Sequence, residues 1–275
     1  MKIDSHHHFW SYNQREYGWI SDDMAQLRRD FLPSDLKKNI QECGIDGVVT
    51  VQARQTLHET NWLLELAGIH DFIKGAVVWL PFEDCKNFDI IEPFADIPEF
   101  KGVRHVIQDE MDDNFILHED FNTGVSLLKK YDLTYDILIF ERHLPQTIQF
   151  VDKHPEQRFV LDHIAKPLIK TYKLKPWASN IRELAKRKNV WCKLSGMVTE
   201  ADFKSWTPEQ LKPYMETVLE AFGPERLMFG SDWPVCLAAT SYKNWYELVT
   251  KFIETLSADE QAQIMGINAI EAYKL

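Results

Sequence analysis

MKIDSHHHFW, residues 1–10, and RLMFGSDWPV, residues 226–235, carry the same message from opposite ends of the chain. Each is a short apolar run that breaks into polar side chains, His6, His7 and His8 in the first and Asp232 in the second. In a strand, residues i and i+2 point to the same face, so His6 and His8 converge on one point. If both strand ends open into one pocket, two imidazoles and a carboxylate meet there. Such a set holds a divalent metal, or activates a water without one. The chemistry this predicts is hydrolysis.

Between those ends, short β-branched runs alternate with longer amphipathic stretches. The runs fall at residues 1–5, 46–53, 73–80, 102–107, 133–140, 158–163, 190–194 and 226–230. Short continuous apolar runs suit strands buried on both faces. Helical patterns lie between them, as at 61–70 and at 208–222, which stops at Gly223-Pro224; another, 258–273, follows the eighth unit. Eight strand–helix units predict an α/β chain folded as a (β/α)8 barrel, a fold that takes about 250 residues. A doubly wound open sheet is the alternative, but no glycine-rich phosphate fingerprint follows the first strand. No linker or low-complexity tract interrupts the pattern, so residues 1–275 are expected to form one domain.

Composition narrows the partners. The 42 acidic residues outnumber the 31 basic ones, for a net charge of −11, which disfavours nucleic acid and anionic membranes. No stretch approaches the roughly 18 apolar residues of a membrane span, and the N-terminus lacks a secretory pattern. Four scattered cysteines, Cys43, Cys85, Cys192 and Cys236, form no CxxC pair and are expected to be reduced thiols. Together these features predict a cytoplasmic protein with a small-molecule substrate, leaving its oligomeric state open.

Barrels of this kind place their chemistry at the C-terminal ends of the strands. His6 and His8 end the first predicted strand, Arg104 and His105 the fourth, His163 the sixth, and Asp232 follows the eighth. Arg54 follows the second strand, and Lys193 lies within the seventh. The segment 9–33, with Trp10, Tyr12, Tyr17 and Trp19, is long for a connection and is expected to form a lid or binding wall.

The D-x-H-x-H of Asp4, His6 and His8, the VLDHIAKP of the sixth strand and the GSDWPV of the eighth resemble the amidohydrolase superfamily. VQARQTLHETNWLLELA, GVRHVI and KLSG are similar to its branch of sugar and muconate lactonases, and the resemblance spans residues 2 to 270. It implies hydrolysis of a cyclic ester, an aldonolactone such as L-fuconolactone or L-rhamnonolactone. Binuclear members of the superfamily carry a bridging Lys or Glu at the fourth strand. Here Arg104 stands in that region and is no metal ligand. The resemblance therefore implies at most one divalent metal, Zn2+, and is equally compatible with none.

Opening a lactone requires a water, an acceptor for its proton and a stabiliser for the oxyanion. Asp232 is the expected general base. His6, His8 and His163 are expected to polarise the carbonyl directly or through one zinc. Arg104 suits either substrate oxygens or a structural ion pair, and Arg54 is a weaker candidate of the same kind. Lys193 either lines the pocket or pairs with a barrel carboxylate. Trp10, Trp79 and Trp233 would serve as walls for a sugar ring, or as ordinary rim packing. By alternation His7 points away from its neighbours, and Asp162 should face the helical layer in a cap or salt bridge. Two other functions fit the same residues: a metal-dependent, non-oxidative decarboxylase and a non-catalytic sugar-binding barrel.

Overall fold

The computed structural model describes residues 1–82 and 90–275. The apolar runs become eight strands: β1 (Ile3–His7), β2 (Gly47–Val51), β3 (Ile73–Val78), β4 (Phe100–His105), β5 (Thr134–Ile137), β6 (Phe159–Leu161), β7 (Val190–Leu194) and β8 (Leu227–Phe229). They pair in parallel and in sequence order. Nearly every strand residue is buried, as a sheet covered on both faces demands. β7 coincides with its run, β1 and β4 keep the length of theirs but are displaced by two residues, and the other five strands are shorter, their last run residues leaving the ladder at the rim.

Helices wrap the outside: α1 (Pro33–Cys43), α2 (Leu57–Ile69), α3 (Glu119–Leu127), α4 (Leu144–Lys153), α5 (Trp177–Leu184), α6 (Pro208–Phe222) and α7 (Tyr242–Ile253). The connection from β3 to β4 carries, among the described residues, only the 3-10 turn Glu92–Phe94. The pattern at 208–222 becomes α6 with those bounds. The one at 61–70 begins earlier, because Thr56 accepts a hydrogen bond from the Glu59 amide and caps α2. The expected helix at 258–273 is divided into α8 (Ala258–Ala262), a π turn (Gln263–Ile267) and α9 (Asn268–Tyr273). The break falls at Gly266, whose φ of 178° is not helical and whose lack of a side chain admits the Met1 carbonyl, since a Cβ there would lie 2.1 Å from its oxygen.

Two apolar clusters organise the interior. The larger joins the outer face of the barrel to its helices. The smaller fills the barrel floor with Ile3, Val49, Val51, Val77, Val160, Trp191 and Met228, plugged by Ala269, Ala272 and Tyr273 of α9. Among the described residues no helix is long and apolar enough to cross a membrane. Cys43, Cys192 and Cys236 are free and buried, whereas Cys85 lies outside the described residues.

Candidate active site

Above the apolar floor, the alternation of the strands delivers charge instead of hydrocarbon. Two residues beyond Trp191, Lys193 points into the barrel; two beyond Val160, so does Asp162. Lys193 Nζ lies 2.5 Å from Asp136 Oδ2 on β5 and 2.9 Å from Asp162 Oδ1. Arg104 completes the layer, 2.9 Å from Asp162 Oδ2 and 2.9 Å from Gln52 Oε1, and it also bonds the Gln52 carbonyl. All are buried, so the pairing is what makes the charges tolerable there.

This corrects the expectation for Asp162, which faces the barrel interior and not the helices. His163 faces inward as well. The strand ends at Leu161, and His163 adopts φ 52°, which turns its ring back over the barrel where strict alternation would send it out. The left-handed conformation continues through Ile164, Ala165 and Lys166. Such residues persist only where their surroundings hold them. Gly196, the glycine of KLSG, makes the room: a Cβ there would stand 2.5 Å from His163 Nδ1, and its own φ is 61°.

Directly above the charged layer, three imidazoles surround one carboxylate. Asp232 Oδ1 lies 3.4 Å from His8 Nε2, 3.8 Å from His6 Nε2 and 3.9 Å from His163 Nε2. The Nε2 atoms of His6 and His8 are 3.2 Å apart. His8 Nδ1 contacts the Val51 carbonyl at 2.8 Å, and His163 Nδ1 contacts Ser195 Oγ at 2.8 Å. His7 points to the opposite side and packs edge-on against Phe9, as alternation predicts.

The junction between β8 and β1 sets this convergence. A single bridge joins His7 to Trp233, supported by bonds from the His8 amide to the Trp233 carbonyl (2.7 Å) and from the Asp232 amide to the His6 carbonyl (2.8 Å). Asp4 closes the junction: its Oδ1 accepts from the amides of His6 (3.1 Å) and Ser231 (2.8 Å), while Tyr242 donates to Oδ2. The first strand carries one extra residue between Asp4 and His7 relative to β2, which lets Asp4 reach α7 while His6 turns inward.

The rim encloses a cavity of about 570 Å³ lined by His8, His163, Asp232, Arg104, Arg54 and Lys166, with Trp19 and Glu16 at its mouth. His6 lies beneath these residues and does not line it. Nor does Lys193, which takes the barrel-carboxylate alternative. The three tryptophans expected as walls are elsewhere. Trp10 packs on Tyr17 and Phe31, Trp233 on Phe9 and Phe31, and Trp79 donates to His105 Nδ1 at 3.3 Å. Trp19, 45% exposed, takes the position instead, because the 9–33 segment folds back through a Trp10–Phe31 bridge and presents only its tip. Arg54 reaches the cavity but is paired with Glu16 and Glu59.

Asp136, Gln52, Lys166 and Ser195 are the residues a reading of the sequence overlooks. Asp136 has a signal: it interrupts the apolar run LTYDILIF, and Lys193 interrupts VWCKL with the opposite charge. Two opposite charges in two buried strands call for each other.

The electrostatics follow from burial. Desolvation lowers His163 to about 4 and holds His6 well below the usual imidazole range. Burial alone would raise Asp232, but His163 and His8 outweigh it and hold the carboxyl below its ordinary value. Asp162 is likewise driven up by burial and further down by Lys193, His6 and Arg104. The donor atoms of His6, His8 and Asp232 lie within 4.8 Å of one another. Zinc with tetrahedral bonds of 2.0–2.1 Å would set neighbouring donors roughly 3.3 Å apart. The separations here, 3.2, 3.4 and 3.8 Å, and the two-nitrogen, one-oxygen composition fit such an ion.

The family model described as Amidohydrolase matches residues 3–275. An L-fucono-1,5-lactonase of Burkholderia multivorans is 40% identical over 288 residues, covering 100% of this chain and 96% of that protein. Another L-fucono-1,5-lactonase, from Burkholderia ambifaria, is 34% identical over 281 residues, again covering 100% and 96%. A crystal structure of an amidohydrolase from Burkholderia multivorans with bound zinc matches with a TM-score of 0.96 at 39% identity, covering 100% of this chain and 99% of that one.

Proposed function

The chain belongs to the amidohydrolase family, and from that premise we propose that it hydrolyses a small, neutral sugar lactone of the L-fucono-1,5-lactone kind to its hydroxy acid. The observation that carries this reading is the meeting of Asp232 with His8 and His163 on the wall of one rim cavity. We assign residues 1–275 to one catalytic domain of a cytoplasmic enzyme.

In this reading a water held at Asp232 attacks the carbonyl carbon and passes its proton to the carboxylate. A base held below the ordinary carboxyl range is weak, so the reaction depends on donors that stabilise the oxyanion as it forms. His163 supplies one in the tautomer whose Nδ1 accepts from the Ser195 hydroxyl, which places the ring proton on Nε2. Arg104 and Lys166 line the same wall and bring positive charge to the oxyanion. Collapse of the tetrahedral adduct breaks the ring C–O bond, and Asp232 returns its proton to the departing oxygen. The new carboxylic acid ionises at neutral pH, so each turnover releases one proton. A zinc ion held by His6, His8 and Asp232 would supply Lewis-acid polarisation of the carbonyl.

The test is acid release from a panel of aldonolactones, measured with a pH indicator on metal-stripped protein with and without added zinc. The expected result is turnover of L-fucono-1,5-lactone. Absence of turnover under both conditions overturns the reading. Decarboxylation of an aromatic acid, or sugar binding without turnover that survives Asp232→Asn, would establish one of the two other functions instead.

A further inference from the structure

His105 ends β4 beside Arg104, and alternation turns the two in opposite directions. Arg104 enters the barrel, whereas the His105 ring packs outside it, stacked on Phe115 at 4.8 Å and edge-on to Phe121 at 5.7 Å. The proposed reaction makes no use of this histidine, yet both of its nitrogens are engaged. Trp79, the residue after β3, donates its indole N–H to Nδ1 at 3.3 Å, and Nε2 lies 2.7 Å from Glu110 Oε1. The end groups alone fix the roles. An indole nitrogen only donates, so Nδ1 is the acceptor, and the ring proton stands on Nε2 and is given to the carboxylate. Glu110 is held through its backbone as well: it follows the 3-10 turn Ile107–Asp109, and its amide donates to the Ile107 carbonyl at 3.1 Å.

That turn brings Glu110 back to the wall of the rim cavity, where its side chain is 30% exposed. Among the described residues its Oε2 has no hydrogen-bond partner, and no Lys or Arg pairs with it. The other carboxylates of the cavity are committed. Asp232 faces the imidazoles, Glu16 is paired with Arg54, and Asp109 accepts from Gln108 Nε2 at 3.3 Å. We propose that Glu110 accepts hydrogen bonds from ring hydroxyls of the substrate, with Trp79 and His105 as the residues that position it. The proposal rests on the lactone reading of the site and names what makes the lactone a sugar. The reacting ester group has no hydroxyl of its own, so hydroxyls must be met by acceptors away from Asp232. A carboxylate offers lone pairs only, and one anchored through Oε1 presents Oε2 in a fixed direction. A few preset polar groups of this kind give a pocket its orientation and specificity. A lactone without hydroxyls leaves that acceptor unmatched, and sites built to bond a hydroxyl discriminate strongly against such analogues.

Glu110→Gln is the informative exchange. The His105 Nε2–H still requires an acceptor, so the amide oxygen takes that place and the amide NH2 faces the cavity, donating where the carboxylate accepted. Hydrolysis of L-fucono-1,5-lactone is compared with that of δ-valerolactone, a lactone without hydroxyls, in the wild type and the variant. KM for the sugar lactone should rise about tenfold or more, the worth of one hydrogen bond to a charged group, with a smaller change in kcat. The preference for it over δ-valerolactone, as the ratio of kcat/KM values, should fall by the same factor. His105→Phe keeps a ring stacked on Phe115 and should move KM the same way by a smaller factor; if it does not fold, Glu110→Gln decides alone. An unchanged KM in Glu110→Gln, or an equal loss on both lactones, overturns the proposal. Where neither lactone is turned over, the affinity of the unreactive sugar L-fucose, by calorimetry, decides. Binding about tenfold weaker in Glu110→Gln would sink the lactone reading and leave the role of Glu110 standing. No difference there, binding to neither protein included, overturns the proposal as well.

Discussion

The barrel interior has two storeys built by the same strands. On the floor, Val160, Trp191 and Met228 pack against α9; one alternation higher, Asp162 and Lys193 meet Asp136, Arg104 and His6. The floor gains from burying hydrocarbon, at about 25 cal/mol per Å². The charged storey gains little net stability, because desolvation offsets most of the attraction between the ions. What it supplies is position. The difference teaches that, in this barrel, stability and site geometry are divided between consecutive inward-facing residues of single strands.

That division can be broken most severely from above. Asp232→Asn, which leaves the ion pairs of the charged storey and the apolar floor in place, should reduce kcat about a thousandfold in the acid-release assay with an unchanged circular dichroism spectrum. Asp162→Ala should harm both properties, because it leaves Lys193 and Arg104 facing a buried void. Denaturant unfolding should show a loss of about 3–5 kcal/mol, with activity falling alongside. Met228→Ala should remove about 2–5 kcal/mol from the floor while the folded fraction keeps its kcat, and a large fall in kcat there would erase the distinction. Tyr273 spans both storeys, lying in the floor cluster and donating to Asp136. Tyr273→Phe should cost about 1.5–3 kcal/mol, the value of one hydrogen bond to a charged group, with a smaller effect on kcat than Asp162→Ala.

The gentlest probe is pH. His163 stays neutral down to about 4, and Asp232 stays ionised below the ordinary carboxyl range. The kcat/KM profile should therefore be flat from pH 7 to about pH 5, and fall only below that. A limb near pH 6.5 would mean that a histidine with an ordinary imidazole value performs the proton transfer. The stability term of His163 runs the same way. Its folded-state value lies below the unfolded one, so its contribution is complete above about 6.5 and is lost as pH falls through about 4.

Much of the fold was legible because both periodicities are local. β-branched runs and helical stripes are decided by neighbours in sequence, so all eight strands lie where the runs are. The cap at Thr56 was also local, and a closer reading of T-x-x-E would have placed the start of α2. The convergence of His6 with His8 followed from period two. Asp162 shows where that reasoning fails. Alternation was counted back from His163 as though the strand continued, whereas a left-handed turn places both residues inside. The tryptophans failed for another reason: residue type says that a ring is large and apolar, not which neighbours bury it.

The sequence by itself determined the barrel and the placing of His6, His8, His163 and Asp232 at one rim, since each depends on spacing within one segment. Only the tertiary structure decided that Lys193 faces Asp136 and not the cavity, that Trp19 forms the wall, and that His6 lies beneath His8. Those facts depend on contacts between strands 57 to 187 residues apart. No local rule carries the distance or direction of a partner that chain closure alone brings near.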